Sequence, residues 1–343
     1  MTKKLLVSMA VLVASGMLFT ACAPAAEPAP AEEPTPAVEA APEEVAPAKE
    51  ATVEISGDVL IDGSSTVYPI TVAVAEEFAK EYPQARVSVG LSGTGGGFKK
   101  FCIGETDISD ASRPIKDEEA QTCADNGIEY TEFQIAMDGL TVMVNPENDW
   151  LQSLTPEQLG QILGVNSTVV KWSDIDPTFP AEEIKFFIPD PDSGTRDYMI
   201  EIVEEVVGDE DLRQDENTTF SSDDNVLLDG IANDKYALGF FGFAYYVNNM
   251  DKVKAVPIIN NVGEAVLPSD ETVQNGSYNP LSRPLFIYAN NASLASKPQV
   301  AEFVKFYLSE SGAPAIMADV GYSMPPSGVY DTNLETLLGI LGQ

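Results

Sequence analysis

Three short stretches carry residue types that could receive an anion. Gly63-Ser64-Ser65-Thr66, Ser92-Gly93-Thr94-Gly95-Gly96-Gly97 and Asp192-Ser193-Gly194-Thr195-Arg196-Asp197 each combine hydroxyls with glycine. A helix start leaves its first N–H groups without intrahelical acceptors, and the helix dipole favours negative charge there. Glycine lets the backbone come close to a ligand. Hydroxyls, free amides and an arginine at such a turn make a receptor for a small oxyanion. Taken singly, each turn reads equally well as an N-cap, since Asp, Ser and Thr are the usual capping residues. Three of one design argue for a shared purpose. A fourth turn, Asp110-Ala111-Ser112-Arg113-Pro114, adds a hydroxyl and a guanidinium, and Arg113 and Arg196 are the natural charge partners.

The elements around these turns follow from hydrophobic pattern. Val59-Leu60-Ile61 is a short buried strand, and Pro69 sits in the first turn of the helix that follows, where its missing N–H costs least. Arg86 to Leu91 alternates as a strand before the glycine run, and Thr106 to Ser112 forms the next strand and turn. A helix near 116–126 and a strand near 128–135 come after. Strands alternating with helices predict an α/β fold with a mainly parallel sheet. The apolar run 139–146 opens a second set: a helix at 154–163, a strand at 184–188, a helix after Thr195, a helical run at 226–232 and an extended one at 237–243. A strand at 284–288 and helices at 299–308 and 333–341 close the chain. This order predicts two lobes, with crossovers near 139–145 and 284–289 acting as hinges. Lobe I takes 55–140 and 286–343, and lobe II takes 141–285. In open α/β sheets ligands bind beyond the carboxyl ends of the strands, where these turns gather, and the cleft between lobes is the natural site.

Composition narrows the function. The chain has 343 residues, 44% hydrophobic, enough for one large domain or two moderate ones. Its formal charge is −35, which argues against nucleic acid or anionic membrane surfaces as partners. Histidine is absent, which removes the commonest general base and metal ligand. No catalytic residue, metal site or cofactor is expected: Gly90-Leu91-Ser92-Gly93-Thr94 does not complete a GxSxG elbow, and the glycine run misses P-loop spacing.

The N-terminus reads as an export signal over residues 1–21: Lys3 and Lys4, an apolar run from Leu5 to Phe19, then small residues before Cys22. The apolar run is short for a membrane span. A cysteine in this position resembles a bacterial lipobox, which implies a mature chain beginning at an acylated Cys22. Residues 22–54 are rich in Ala, Pro and Glu, a composition that builds no core and serves as a linker. With Cys22 assigned to the lipid, Cys102 and Cys123 remain, and in an exported chain they are expected to pair as a disulfide.

Four motifs taken together resemble the PstS-type phosphate-binding lipoproteins of phosphate ABC transporters. They are Gly63-Ser64-Ser65-Thr66-Val67-Tyr68-Pro69-Ile70, Ser92-Gly93-Thr94-Gly95-Gly96-Gly97-Phe98, Asp107-Ile108-Ser109-Asp110-Ala111-Ser112-Arg113 and Asp192-Ser193-Gly194-Thr195. The resemblance runs from about Val59 to the C-terminus. It implies a two-lobed periplasmic-binding-protein fold of type II, one inorganic phosphate in the cleft, and delivery to a membrane permease with an ATPase. The implied contacts are Ser65, Thr66, Thr94, Ser112, Ser193, Gly194 and Thr195. The best-known branch carries an arginine a few residues before Ser-Gly-Thr, where this chain has Pro189, so the charge is assigned to Arg196 or Arg113. Hydrogen phosphate carries a proton that sulfate lacks, and a carboxylate in the site accepts from the first and repels the second. Asp138 is the candidate for that carboxylate, with Asp110 and Asp192 as alternatives. The expected protein is a monomer, exported and lipid-anchored on the outer side of the cytoplasmic membrane. Competing readings are a receptor for sulfate, molybdate or a phosphonate, and a tethered surface interaction protein.

Overall fold

A computed structural model describes residues 54–191 and 193–342; the export signal, Cys22, most of the linker and Asp192 lie outside the described residues. The described chain begins with strand–turn–helix units. β1 (Gly57–Gly63) runs into α1 (Tyr68–Glu81), β2 (Ala85–Leu91) into α2 (Thr94–Phe101), and β3 (Ile108–Ala111) leads to α3 (Asp117–Asp125). β4 (Tyr130–Val144) then carries the chain to a second set of elements. These are α4 (Pro156–Leu163), α5 (Trp172–Ile175), β5 (Lys185–Pro189), α6 (Gly194–Val207), β6 (Thr218–Ser221), α7 (Asp224–Asn233), β7 (Ala237–Gly242) and α8 (Phe243–Val247). Three two-residue strands, β8 (Lys254–Ala255), β9 (Ile258–Ile259) and β10 (Ala265–Val266), precede α9 (Asp270–Gln274). β11 (Ser282–Asn290) brings the chain back, and α10 (Asn291–Ser296), α11 (Pro298–Leu308), α12 (Ala313–Ile316) and α13 (Val329–Leu341) finish it.

The main sheet has the order β2-β1-β3-β11-β4-β7-β5-β6, with β8 added on β4. Its two wings pair in parallel: β1 with β2 and β3, and β5 with β6 and β7. The middle is antiparallel, because the chain goes out on β4 and returns on β11. β4 corrects one expectation. Separate strands near 128–135 and 139–146 are a single strand of fifteen residues. Asp138-Gly139 resembles a turn, but Gly139 packs so tightly that a Cβ there would lie 3.0 Å from the Cβ of Phe243. The close packing holds the backbone extended between the two expected strands.

Two apolar cores flank β4 and β11. One gathers Val59, Ile61, Phe78, Ile287, Phe303 and Tyr307 under α1 and α11. The other gathers Val142, Trp172, Phe186, Met199, Val203 and Phe240 under α6 and α7. Each fully buried side chain of this size contributes about 1.5–3 kcal/mol of hydrophobic stabilisation, so each half holds its own turns in place. A smaller cluster of Phe98, Phe101 and Tyr288 surrounds Cys102 and Cys123, which are disulfide-bonded and tie the end of α2 to α3. No described helix is long and apolar enough to cross a membrane.

Candidate functional site

Glycines bring the first two turns together. At Gly63 a Cβ would lie 2.1 Å from the carbonyl oxygen of Asp110, so no other residue lets β1 end this close to β3. Ser64 N–H donates to that same carbonyl (2.9 Å). At Gly97 a Cβ would lie 2.6 Å from Cα of Gly63, so the first turn of α2 rests directly on the end of β1. Gly93, at a φ of 75°, turns the chain into α2 in a left-handed conformation that glycine adopts without strain. The first amides of α2 have no intrahelical acceptor, because the ladder begins with Gly97 N–H donating to the carbonyl of Gly93 (2.9 Å).

Hydroxyls gather at this junction. Thr94 Oγ1 and Ser112 Oγ lie 3.0 Å apart, and the Ser112 amide donates to Thr94 Oγ1 (3.2 Å). Thr66 N–H donates to Ser64 Oγ (3.2 Å), which shapes the 64–66 turn. Ser64, Thr66, Thr94 and Ser112 are all buried. The lower effective dielectric of a buried site makes a hydrogen bond to an anion stronger there than at the surface.

The helix start of α6 meets these turns from the other half. Ser193 caps α6, its Oγ accepting from Arg196 N–H (3.5 Å). Thr66 Oγ1 reaches the carbonyl of Gly194 (3.5 Å), and Ser65 Oγ donates to Asp197 Oδ2 (2.7 Å). Ser65, Thr66, Thr94 and Ser112 line one cavity of about 260 Å³ together with Asp197 and Glu201. A neighbouring cleft of about 780 Å³ shares Thr94, Ser112 and Glu201 and adds Arg113, Tyr198 and Arg283. Thr195 faces a different cavity, of about 310 Å³, with Asp138 and Tyr322.

The charged residues divide differently from expectation. Arg113 borders the cleft, but both its terminal nitrogens bind Glu119 (2.8 Å each). Arg196 does not enter the cleft. It is 2% exposed, pairs with Asp211 (2.7 Å), reaches the carbonyl of Pro189 (3.4 Å) and lies over Phe220. It stands three residues before Met199 and seven before Val203, on the helix face that packs into the core.

Arg283 takes the place expected of Arg196. It faces Asp138 across the β4–β11 ladder and donates from Nη2 to Thr66 Oγ1 (3.0 Å) and from Nη1 to Glu201 Oε2 (2.5 Å). Its Nε lies 3.4 Å from Asp138 Oδ2. Asp138 is therefore beside the cleft, held by the arginine. Burial raises its carboxyl above the usual range, against the opposing pull of Arg283. Asp110 is fully buried behind the 64–66 turn, and burial pushes its carboxyl up to about 8. No local motif marks Arg283; its register opposite Asp138 in the β4–β11 ladder brings it to the cleft.

Comparison with known proteins decides the family. A family model described as a PBP superfamily domain matches residues 39–311. Protein SphX of Synechocystis is 45% identical over 280 residues, 81% of each chain. The phosphate-binding protein PstS of Staphylococcus haemolyticus is 41% identical over 284 residues, 83% of this chain and 86% of its own. The chain belongs to the PstS branch of the PBP superfamily. Among solved structures, a possible phosphate-binding protein from Planctomyces limnophilus superposes with a TM-score of 0.79 at 45% identity, covering 84% of this chain and 99% of that one. An ABC-type phosphate transport receptor from Vibrio cholerae gives 0.63 at 26% identity, covering 78% and 100%. The fold of this PstS-type chain is accordingly the two-lobed one, with mixed α/β halves joined through β4 and β11.

Proposed function

We propose that this chain is an extracytoplasmic receptor that captures inorganic phosphate between its lobes and hands it to an ABC permease. The observation that carries the reading is the junction of the 64–66 turn, the start of α2 and the start of α6 around hydroxyl-lined cavities. Relatives named for phosphate binding and a structural neighbour named as an ABC-type phosphate transport receptor support it. The contacts are Ser65, Thr66, Thr94 and Ser112, joined at the start of α6 by Ser193, Gly194 and Thr195, the last bordering the neighbouring cavity. Hydrogen bonds to a charged group contribute about 1.5–3 kcal/mol each, so several together offset the cost of association and reach the roughly −8 kcal/mol of a micromolar complex. Local donors must supply this, since the net charge of −35 repels an anion at long range.

Lobe I comprises 55–140 and 286–343, and lobe II comprises 141–285. The lobes close over phosphate, and the permease reads the closed form. Receptor function calls for no activated nucleophile, and with no histidine in the chain no hydroxyl of the site has an imidazole base to activate it. Acylation at Cys22 and the 22–54 linker tether a monomer to the outer side of the membrane. Titration calorimetry of the full chain with phosphate and with sulfate tests the reading. One-to-one heat with phosphate and at least about tenfold weaker uptake of sulfate, a difference of about 1.4 kcal/mol, is the expected result. No heat with phosphate overturns it.

A further inference from the structure

Arg283 joins three parts of the molecule. It belongs to the crossing strand β11, and its guanidinium lies over the ring of Tyr198 of α6, with Cζ 3.5 Å from the ring centre. The Tyr198 hydroxyl donates to the carbonyl of Pro280 (2.7 Å), which anchors the ring under the guanidinium. Nη2 donates to Thr66 of the first turn and Nη1 to Glu201 of α6, while Nε lies within ion-pair distance of Asp138 of β4. Arg113 and Arg196 are committed to Glu119 and Asp211.

We propose that Arg283 is the cationic ligand of the bound oxyanion, presented by the crossing strand, and that Glu201 is an internal competitor for it. This rests on the reading of the cleft as a phosphate site. An oxyanion that accepts from Thr66 Oγ1 lies beside Nη2 of Arg283, because those two atoms are 3.0 Å apart. A guanidinium fork binds carboxylate and phosphate oxygens in the same way. Asp197 and Glu201, four residues apart on one face of α6, take up the Ser65 hydroxyl and Nη1 of Arg283 respectively. Exposure separates the roles of the two carboxylates on Arg283. The Asp138 side chain is 9% exposed and stays as the anchor, whereas that of Glu201 is 49% exposed and can swing into water. An arriving oxyanion therefore displaces Glu201 and leaves Asp138 in place.

Inorganic phosphate titrated calorimetrically into the full chain and its variants tests this. Arg283→Gln is expected to bind at least about 30-fold more weakly, and Arg283→Lys, which keeps the charge and loses the fork, about 5–10-fold. Glu201→Gln is expected to bind about 3–10-fold more tightly. The double variant Arg283→Gln/Glu201→Gln should match Arg283→Gln alone, because the effect of Glu201 runs through the arginine. Thr94→Ala reports on the cleft itself. If Thr94→Ala weakens binding while both Arg283 variants stay within about twofold of the parent, the arginine assignment fails and the phosphate reading survives. Weaker binding by Glu201→Gln overturns the competitor role. An unmodified chain that takes up no phosphate overturns the phosphate reading, and this proposal with it. Thermal melting without phosphate checks the folding of each variant, and where Arg283→Gln does not fold, Arg283→Lys decides.

Discussion

Ser65 Oγ donates to Asp197 Oδ2 across 2.7 Å, which joins the turn after β1 to the first turn of α6. Beside that bond, a Cβ on Gly194 would lie 3.2 Å from both N and Cα of Thr66. Those are backbone atoms and cannot yield as a flexible side chain can. Gly194→Ala should therefore hold the two halves apart at this contact. Phosphate affinity is expected to fall at least about tenfold, the equivalent of about 1.4 kcal/mol. The ligand-free melting temperature should hold or rise slightly, since alanine favours the helix that Gly194 begins. Calorimetry and a melting curve on the same sample separate the two effects.

Arg196→Ala should affect stability and spare the ligand. Its guanidinium is buried against Asp211, the carbonyl of Pro189 and Phe220. Breaking a buried pair costs about 3–5 kcal/mol, but Asp211 is 40% exposed, so water takes over part of its solvation and about 2–3 kcal/mol is expected. Urea denaturation measures the loss. Phosphate affinity of the folded variant should stay within about twofold of the parent, less than about 0.5 kcal/mol, and a larger drop would return Arg196 to the site.

The contrast between Arg196 and Arg283 shows where a sequence is legible. The turns at 64–66, 93–97 and 193–195 are local: strand, glycine and hydroxyls, then helix, all within a dozen residues. Local chemistry predicts them, and the hydroxyls of Ser65, Thr66, Thr94 and Ser112 border the cavities beside the first two. The direction of Arg196 depends on which face of α6 is buried, and Met199 and Val203 at helical spacing carry that information in a form the adjacent Ser-Gly-Thr obscures. Arg283 depends on the register of β11 against β4, which pairs residues 145 apart in the chain. That register is set by the packing of both cores and has no local signature. The continuity of β4 through Asp138-Gly139 is hidden for the same reason, since contacts from Phe243 and Val273 hold it straight.

Replacing both bridged cysteines should weaken the first half without disturbing the site. Cys102 and Cys123 are 21 residues apart and both buried beside Phe98 and Tyr288. Closing a loop of this length stabilises by about 3 kcal/mol in the chain-entropy model. Cys102→Ala/Cys123→Ala is expected to melt about 5–10 °C lower in a calorimetric scan. The start of α2 is positioned by the contact of Gly97 with Gly63, not by the bridge at its far end. Phosphate affinity should accordingly change by less than about twofold, and a greater loss would mean that the bridge also orders Thr94.

Asp110 gives the fold a pH dependence of unusual sign. Its carboxyl is fully buried on β3, and its position is raised from an ordinary 3.8 to about 8. Burial is the main cause; the Thr71 hydroxyl pulls the value back and the nearby Asp62 pushes it further up. Below about pH 4 the group is protonated whether the chain is folded or not. Between about 4 and 8 the folded chain holds a proton that the unfolded chain has released, so stability falls as pH rises, by up to about 1.4 kcal/mol per pH unit. Glu119, Asp211 and Asp215 are shifted downward, so their stabilisation is lost only as the solution becomes more acidic than ordinary carboxylate values. Asp138 is raised and adds to the fall with the same sign. Asp110→Asn keeps the shape of the protonated side chain and removes its titration. Urea denaturation without phosphate at pH 4.5, 7 and 9 isolates its share: the variant should roughly match the parent at the lowest pH and exceed it increasingly toward pH 9. Parallel curves for the two proteins across that range would mean that Asp110 is ionised in the fold at neutral pH, with its charge carried by partners behind the 64–66 turn.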